Sequence, residues 1–198
     1  MRRPETAARN DDFFARLDRG ARNIGVLCTS AADVSRATIQ ARKEVNALLD
    51  GLRGLGGIWK NLRLVFTAEQ IGVREGLRIR GLYTVTADDL REGRRHTDAV
   101  CRTTFNIDVH ATDPKKEKGI EKAGFRAKPY DIPLRALIAK DVGGLMMAGR
   151  NISGDFIAHS SYRVTGNSVA LGEAAGKVAA TSAKTNRLPQ DVKLDEAG

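Results

Sequence analysis

The chain has 198 residues, of which 41% are hydrophobic and 5% aromatic, and its formal net charge is +9. This length and apolar content suffice for one large globular domain or two small ones. No run approaches the ~20 apolar residues of a membrane span, and the N-terminus lacks the apolar stretch of a secretory signal. We therefore expect a soluble, cytoplasmic protein with no membrane partner.

The two cysteines, Cys28 and Cys101, belong to no CxxC pair and to no Cys/His cluster. This spacing suggests neither a zinc site nor a disulfide framework. We predict two ordinary buried or half-buried thiols and no metal.

The basic charge is scattered along the whole chain, although a positive protein can approach nucleic acid or an anionic ligand. The short basic groups, Arg94-Arg95 and Lys115 to Lys118, have no interleaved aromatic residues that could stack on bases. Solvated surface charge is therefore favoured over a nucleic-acid interface.

The first half of the chain contains one clear helical pattern, from Ser35 to about Gly54, with Ser35 as the N-cap. The apolar residues of its predicted buried stripe recur at three- and four-residue steps: Ile39, Val45, Leu48, Leu49 and Leu52. Two strands are predicted next, Leu62 to Ala68 and Leu77 to Thr86. Thr86 and Asp89 then form a capping-box variant that opens a short helix.

In the second half, Asp113 to Lys128 is charged and broken by proline and glycine, which predicts an exposed loop or hairpin. Tyr130 to Pro133 is predicted to be extended, with a single turn after it. The apolar run Leu145 to Ala148 is typical of a strand covered on both faces. A small-residue helix from about Thr165 to Lys184 follows, and the tail after Asn186 is predicted to be frayed. Strands covered by helices indicate an α/β fold.

The C-terminal motifs closely resemble the end of the FAD-dependent oxidoreductase family, which is related to glutathione-reductase-type and fumarate-reductase-type flavoproteins. They are, in order, YDIP, the strand ending AGRNIS, then AH, RV and GEAAG. Similar family segments run from about Asn23 to Ala180. The family's G-x-G-x-x-G dinucleotide-binding unit does not occur in the sequence. The resemblance therefore implies the C-terminal portion of a partial FAD/NAD(P)-binding-type fold, with segments of a substrate or capping domain.

This resemblance implies four regions. Residues 1–22 form an N-terminal extension, 23–128 the remainder of the substrate or capping domain, 129–186 the C-terminal part of the FAD-binding domain, and 187–198 the frayed tail. The missing N-terminal half would be a separate or upstream partner, and a homo-oligomer is the other assembly considered.

The cofactor loop is expected where the apolar strand ends, because glycine permits close backbone approach and arginine can meet phosphate or ribityl groups. By resemblance, the N-terminus of the last helix faces the flavin pyrimidine edge and stabilises negative charge there. The predicted cofactor-binding residues are Gly149, Arg150, Asn151, Ile152, Ser153, Thr165, Gly166 and Asn167. In another α/β fold, the same glycines could simply mark a turn and a helix start.

The predicted catalytic residues are His159 and Arg163, which lie between the cofactor loop and the helix start. Histidine exchanges protons near neutral pH, and arginine clamps a carboxylate or stabilises an enolate-like charge. His159 could instead be a hydrogen-bonded loop histidine.

The block VREGLRIRG and the motif NIDVH supply the predicted substrate-binding residues Arg74, Glu75, Arg78 and His110. Surface ion pairs and a strand end are the alternatives for them. Leu77 and Leu82 stand where the family pattern has an arginine and an acidic residue, which leaves the substrate open.

These features together predict an FAD-dependent oxidoreductase of the dehydrogenase type, with hydride passing from a small polar substrate to the flavin. The isolated chain lacks half of the cofactor's contacts and is expected to be inactive. The alternatives are a non-catalytic basic module that binds nucleic acid, and a silent subunit that associates with a separate dinucleotide-binding chain.

Overall fold

The computed structural model describes residues 29–74, 76–110, 120–121 and 124–198. The chain divides into two compact units. One unit comprises Met1–Val73 and His110–Glu121, and the other comprises Arg74–Val109 and Lys122–Gly198.

The main element of the first unit is helix α1, Ala31–Gly54, which confirms the predicted helix but begins earlier. Its N-cap is Ser30, whose side chain accepts a hydrogen bond from the backbone N–H of Asp33, so Ser35 is not the cap. Ala37, Thr38 and Leu49 are its buried residues. Ile39 was predicted to be buried but is 56% exposed.

A 3-10 turn, Gly57–Trp59, follows α1 and leads into a segment, Leu62 to Ala68, without regular secondary structure. The prediction of a strand from Leu62 to Ala68 is therefore wrong for this structure. Three side chains of α1 hydrogen-bond to the backbone of this segment and of the residues just after it. Arg53 donates to the carbonyl of Leu62, and Arg42 donates to the carbonyls of Ala68 and Glu69. Thr38 Oγ1 accepts from Ile71 N–H. These contacts hold the segment along the helix in place of pairing it in a sheet.

The second unit contains short helices and a small sheet. Helix α2, Ala87–Glu92, begins with the predicted capping box, in which Thr86 N–H donates to Asp89 Oδ2 at 2.8 Å. Gly93 ends the helix in the left-handed region with φ +71°, as expected of a C-terminal glycine.

Two pairs of strands are present in the described residues. Strand β1, Ala99–Thr103, pairs antiparallel with β4, Tyr130–Pro133, with an irregularity between Ala99 and Cys101. Strand β2, Val109–His110, pairs with β3, Ile120–Glu121. Strand β4 and the 3-10 turn after it, Leu134–Ala136, confirm the extended segment and single turn predicted there. Most residues predicted to form the charged loop lie outside the described residues.

Two other predicted strands occur as extended backbone with isolated bridges. Residues 77–86 bridge at Gly81 to Ala139 and at Val85 to Gly154. The run predicted from Leu145 to Ala148 contributes a single antiparallel bridge, Met146 to Ile138. It is not covered on both faces, since Leu145 is 38% exposed.

Two helices end the chain. Helix α3, Phe156–Tyr162, is capped by Asp155, and α4, Thr165–Thr185, matches the predicted small-residue helix. Asn186 then adopts φ 51° and turns the chain into two 3-10 turns, Pro189–Asp191 and Leu194–Ala197. The tail is therefore ordered and not frayed as predicted, because buried Val192 packs with Val178 of α4 and with Leu134 and Ile138.

The main core of the second unit joins α2, α3 and α4 to β4 and the bridged segments. Its fully buried members include Val85, Leu90, Ile132, Tyr130, Ile152, Tyr162 and Leu171. The architecture is mixed helix and small sheet, which is compatible with the predicted α/β class. None of the described helices is both long and apolar enough to cross a membrane.

Candidate functional site

The predicted cofactor loop begins at Gly149, which is buried and has φ +86°. This left-handed conformation favours glycine because L side chains rarely adopt it. A Cβ at this position would lie 3.5 Å from Oγ of Ser168, a residue in the first turn of α4. The structure therefore brings the loop directly against the start of the last helix.

The following residues of the loop are fixed by backbone hydrogen bonds. The carbonyl of Asn151 accepts from Ile79 N–H at 3.0 Å, while Ser153 donates to Ala136 O at 3.0 Å and accepts from Val85 N–H at 3.1 Å. The side chains of Ile152 and Ser153 are buried at 0% and 1% exposure. Both side chains therefore serve the fold, and the two backbone groups of Ser153 are also used within the protein.

One polar atom of the loop is buried without a partner. Oδ1 of Asn151 accepts no hydrogen bond from any described residue, although Nδ2 of the same amide lies 3.4 Å from Sδ of Met147. Buried polar atoms are normally satisfied. This atom is therefore an acceptor that a bound group could use.

The start of α4 carries no side-chain cap. Its N-cap is Val164, whose side chain cannot accept a hydrogen bond, and no acidic residue lies in the first turn. Thr165 and Gly166 are exposed, and a Cβ on Gly166 would meet no atom within 4 Å. Among the described residues, no side chain therefore caps the positive end of the helix dipole.

Asn167, predicted as a cofactor ligand, already has partners within the protein. Its Nδ2 donates to Tyr162 O at 3.3 Å, and its Oδ1 accepts from Cys101 Sγ at 3.7 Å. Burial raises the pKa of the Cys101 thiol, and a hydrogen bond with Thr103 only partly offsets this. Asn167 therefore ties the first turn of α4 to β1 and the end of α3.

His159 lies on α3 and is completely buried. Its ring makes an edge-to-face contact with Tyr162, with ring centroids 5.4 Å apart and an interplanar angle of 90°. A side chain with no accessible surface cannot meet a substrate without rearrangement. This placement favours a structural role for His159, although the residue lies on a helix and not in the loop expected for that alternative.

Arg163 is half-buried at the C-terminal end of α3. Its Nη2 donates to the backbone carbonyl of Asp108 at 2.7 Å. Arg74 Nη2 forms an ion pair with Oδ2 of Asp108 at 2.8 Å. The structure thus brings a predicted catalytic arginine and a predicted substrate arginine together around Asp108.

Four further residues were predicted to belong to the site. Arg78 is half-buried and Arg150 is exposed. Glu75 and the side chain of His110 lie outside the described residues, although the backbone of His110 belongs to β2, two residues after Asp108.

Two aspartates of the site were not predicted from the sequence. Asp108 was missed because its partners Arg74 and Arg163 are distant in sequence. Asp155 caps α3 through Ala158 N–H and also accepts from Ala87 N–H at the start of α2, both at 2.7 Å. An aspartate directly before a helix is an N-cap signal, so Asp155 could have been found.

A second polar cluster surrounds the nearly buried carboxylate of Asp131 on β4. Burial alone would raise the pKa of Asp131, but hydrogen bonds from Arg102, Arg95 and the His96 N–H outweigh it and lower the pKa. Asp98 behaves alike, because hydrogen bonds from Arg135 overcome burial and lower its pKa. Several basic side chains therefore neutralise acids of the fold, consistent with dispersed surface charge.

Comparison with known families gives a match that spans nearly the whole chain. The family described as FAD dependent oxidoreductase matches residues 3–197. No curated protein and no solved structure matches the chain.

Proposed function

Because the chain belongs to the FAD dependent oxidoreductase family, whose cofactor is FAD, we propose that Gly149 to Ser153 and the start of α4 form one wall of its flavin site. The observation that carries this proposal is that the loop and the helix lie close together. A Cβ added to Gly149 would lie 3.5 Å from Ser168 Oγ. Both parts of the wall therefore reach a single ligand.

The residues of this wall fit the flavin end of FAD. The uncapped first turn of α4 offers N–H donors and positive potential, which stabilise negative charge on a reduced ring. Asn151 Oδ1 offers a buried acceptor. FAD itself, when bound, supplies the hydride acceptor.

Arg163 is the residue assigned to the substrate. Its backbone lies between α3 and the start of α4, and Asp108 holds its guanidinium. A guanidinium binds and orients a carboxylate or another small anionic group. The proposed reaction is dehydrogenation of a small polar, acidic substrate, with Arg74 as a second positive group.

The adenosine side of FAD is assigned to a G-x-G-x-x-G unit, which the 198 residues do not contain. In this proposal the chain acts as the C-terminal part of a flavoprotein, and the isolated chain binds flavin weakly and turns over no substrate.

The proposal is tested with two glycine variants titrated with FAD by flavin fluorescence. Gly149→Ala forces a Cβ into a left-handed backbone beside α4, whereas Gly144→Ala places one at φ +76° with no atom within 4 Å. Both variants carry the same kind of backbone strain, of about 1 kcal/mol. We expect only Gly149→Ala to weaken binding, by about 5-fold or more. Equal weakening in both variants, or no saturable binding by the wild type, contradicts the proposal.

A further inference from the structure

The segment between strands β1 and β2 carries acceptors for two arginines of the candidate site. Residues 104–108 of this segment have no regular secondary structure. The backbone carbonyl of Asp108 accepts from Arg163 Nη2 at 2.7 Å, and its carboxylate pairs with Arg74 at 2.8 Å. The orientation of the Arg163 guanidinium therefore depends on what holds this irregular segment in place.

A buried serine of α3 holds the segment from the same end of that helix. Ser161 Oγ donates to Phe105 O at 2.6 Å, and the serine side chain has no accessible surface. Ser161 closely precedes Arg163 in the sequence, as Phe105 closely precedes Asp108. The bonds from Ser161 to Phe105 and from Arg163 to Asp108 are therefore successive links between the end of α3 and the segment.

The hydroxyl of Ser161 is itself oriented by a buried tyrosine of β4. Tyr130 Oη donates to Ser161 Oγ at 3.1 Å, and Tyr130 is also fully buried. A serine hydroxyl has a single proton to donate. Because its Oγ accepts from Tyr130, that proton is directed to Phe105 O. Burial raises the pKa of Tyr130 to about 12, and hydrogen bonds with Ser161 and Thr103 only partly offset this. The tyrosine therefore remains a donor at neutral pH.

We propose that Ser161 is a positioning residue for Arg163. With its hydroxyl directed by Tyr130, it fixes Phe105 against α3, so that the carbonyl of Asp108 receives the guanidinium in one orientation. A binding group whose geometry is held by buried hydrogen bonds behind it is preorganised for its ligand. The substrate-binding role of Arg163 rests on the function proposed above, whereas the positioning of its guanidinium does not.

The test follows the Arg163 guanidinium by NMR in the full chain with isotope-labelled arginine. Its signals are assigned by their loss in Arg163→Lys. A guanidinium held by a hydrogen bond at Nη rotates slowly about its Cζ–N bonds, so its Nη groups give separate signals. Ser161→Ala removes the donor to Phe105 and should speed this rotation by about 5-fold or more, the effect of about one lost hydrogen bond.

The adjacent serine provides the matched control. Ser160 is 1% exposed, and its Oγ donates to Ile157 O at 2.7 Å, a bond that stays within α3. Ser160→Ala therefore removes a comparable buried hydrogen bond from the same helix and should leave the rotation of Arg163 unchanged. Tyr130→Phe keeps the serine but removes the hydroxyl that directs it, and should speed the rotation less than Ser161→Ala does. This variant carries the test if Ser161→Ala does not fold.

Titration with acetate, the simplest carboxylate probe, measures the consequence for binding. Acetate should shift the Arg163 signals of the wild type, and Ser161→Ala should weaken this binding by about 5-fold or more while Ser160→Ala does not.

Two results would overturn the positioning role of Ser161. One is an Arg163 rotation that changes in neither Ser161→Ala nor Tyr130→Phe. The other is an equal change in Ser161→Ala and Ser160→Ala, because a general loosening of α3 would then explain it. If acetate leaves the Arg163 signals of the wild type unmoved while Ser161→Ala alone speeds the rotation, the substrate assignment of Arg163 is wrong and its positioning by Ser161 stands.

Discussion

Replacement of Gly154 by alanine probes how the cofactor loop is packed against α3, the helix that Arg163 follows. A Cβ at residue 154 would lie 2.6 Å from both Cε1 and Oη of Tyr162. Real Cβ atoms do not approach so closely, and Tyr162 is fully buried, so its ring cannot move into solvent. The hydroxyl of Tyr162 also donates to Ile152 O at 3.3 Å, and a shifted ring would lose this bond.

The magnitude follows from these contacts. Overpacking a core costs about 1–3 kcal/mol, and loss of the tyrosine hydrogen bond adds about 1 kcal/mol. We therefore expect Gly154→Ala to lower the free energy of unfolding by about 2–4 kcal/mol.

Urea denaturation followed by far-UV circular dichroism measures this change. Gly172→Ala is the matched control, because this helical glycine of α4 has no atom within 4 Å of a Cβ. Alanine should stabilise that position by about 0.5–1 kcal/mol. The double variant Gly154→Ala/Tyr162→Leu removes the clashing ring and should recover part of the lost free energy of unfolding. A Gly154→Ala variant within about 0.5 kcal/mol of wild type would refute the packing described here.

Two further predictions concern single side chains. The folded-state pKa of Asp131 lies below its ordinary value, so its contribution to stability is present above about pH 4 and is lost as the pH falls through the folded pKa. Asp131→Asn should therefore lower the free energy of unfolding by about 1–3 kcal/mol at pH 7. In this variant the free energy of unfolding should also fall less steeply between pH 7 and about pH 3, as measured by urea denaturation. The same pH dependence in variant and wild type would contradict this. In a Cys28→Ser variant, Cys101 should react with a disulfide reagent more slowly in buffer at pH 8 than in urea, because burial raises its pKa; equal rates would contradict its burial.

Sequence patterns predicted the elements that carry a local signal. The capping box at Thr86 and Asp89, the extended Tyr130 to Pro133 and the small-residue helix α4 are all confirmed. The signals that predicted them lie within a few residues, a cap, a residue before proline and a run of small residues, although Tyr130 to Pro133 also pairs with the distant β1.

The predictions that differ depend on distant contacts. Leu62 to Ala68 has strand propensity but lies along α1, because side chains of that helix bind its backbone. The tail is ordered because Val192 packs in the core. Burial of His159 and the meeting of Arg74 with Arg163 at Asp108 likewise arise from tertiary packing. Spacing alone cannot reveal such contacts.

The measurement that tests the central claim most directly is a comparison of flavin mononucleotide with ADP, two fragments that represent the two ends of FAD. The wall of loop and helix start is assigned to the flavin end, so flavin mononucleotide should compete with FAD for the purified chain nearly as well as FAD itself. ADP should not compete at all. Competition by ADP, with none by flavin mononucleotide, would contradict the assignment of this wall to the flavin.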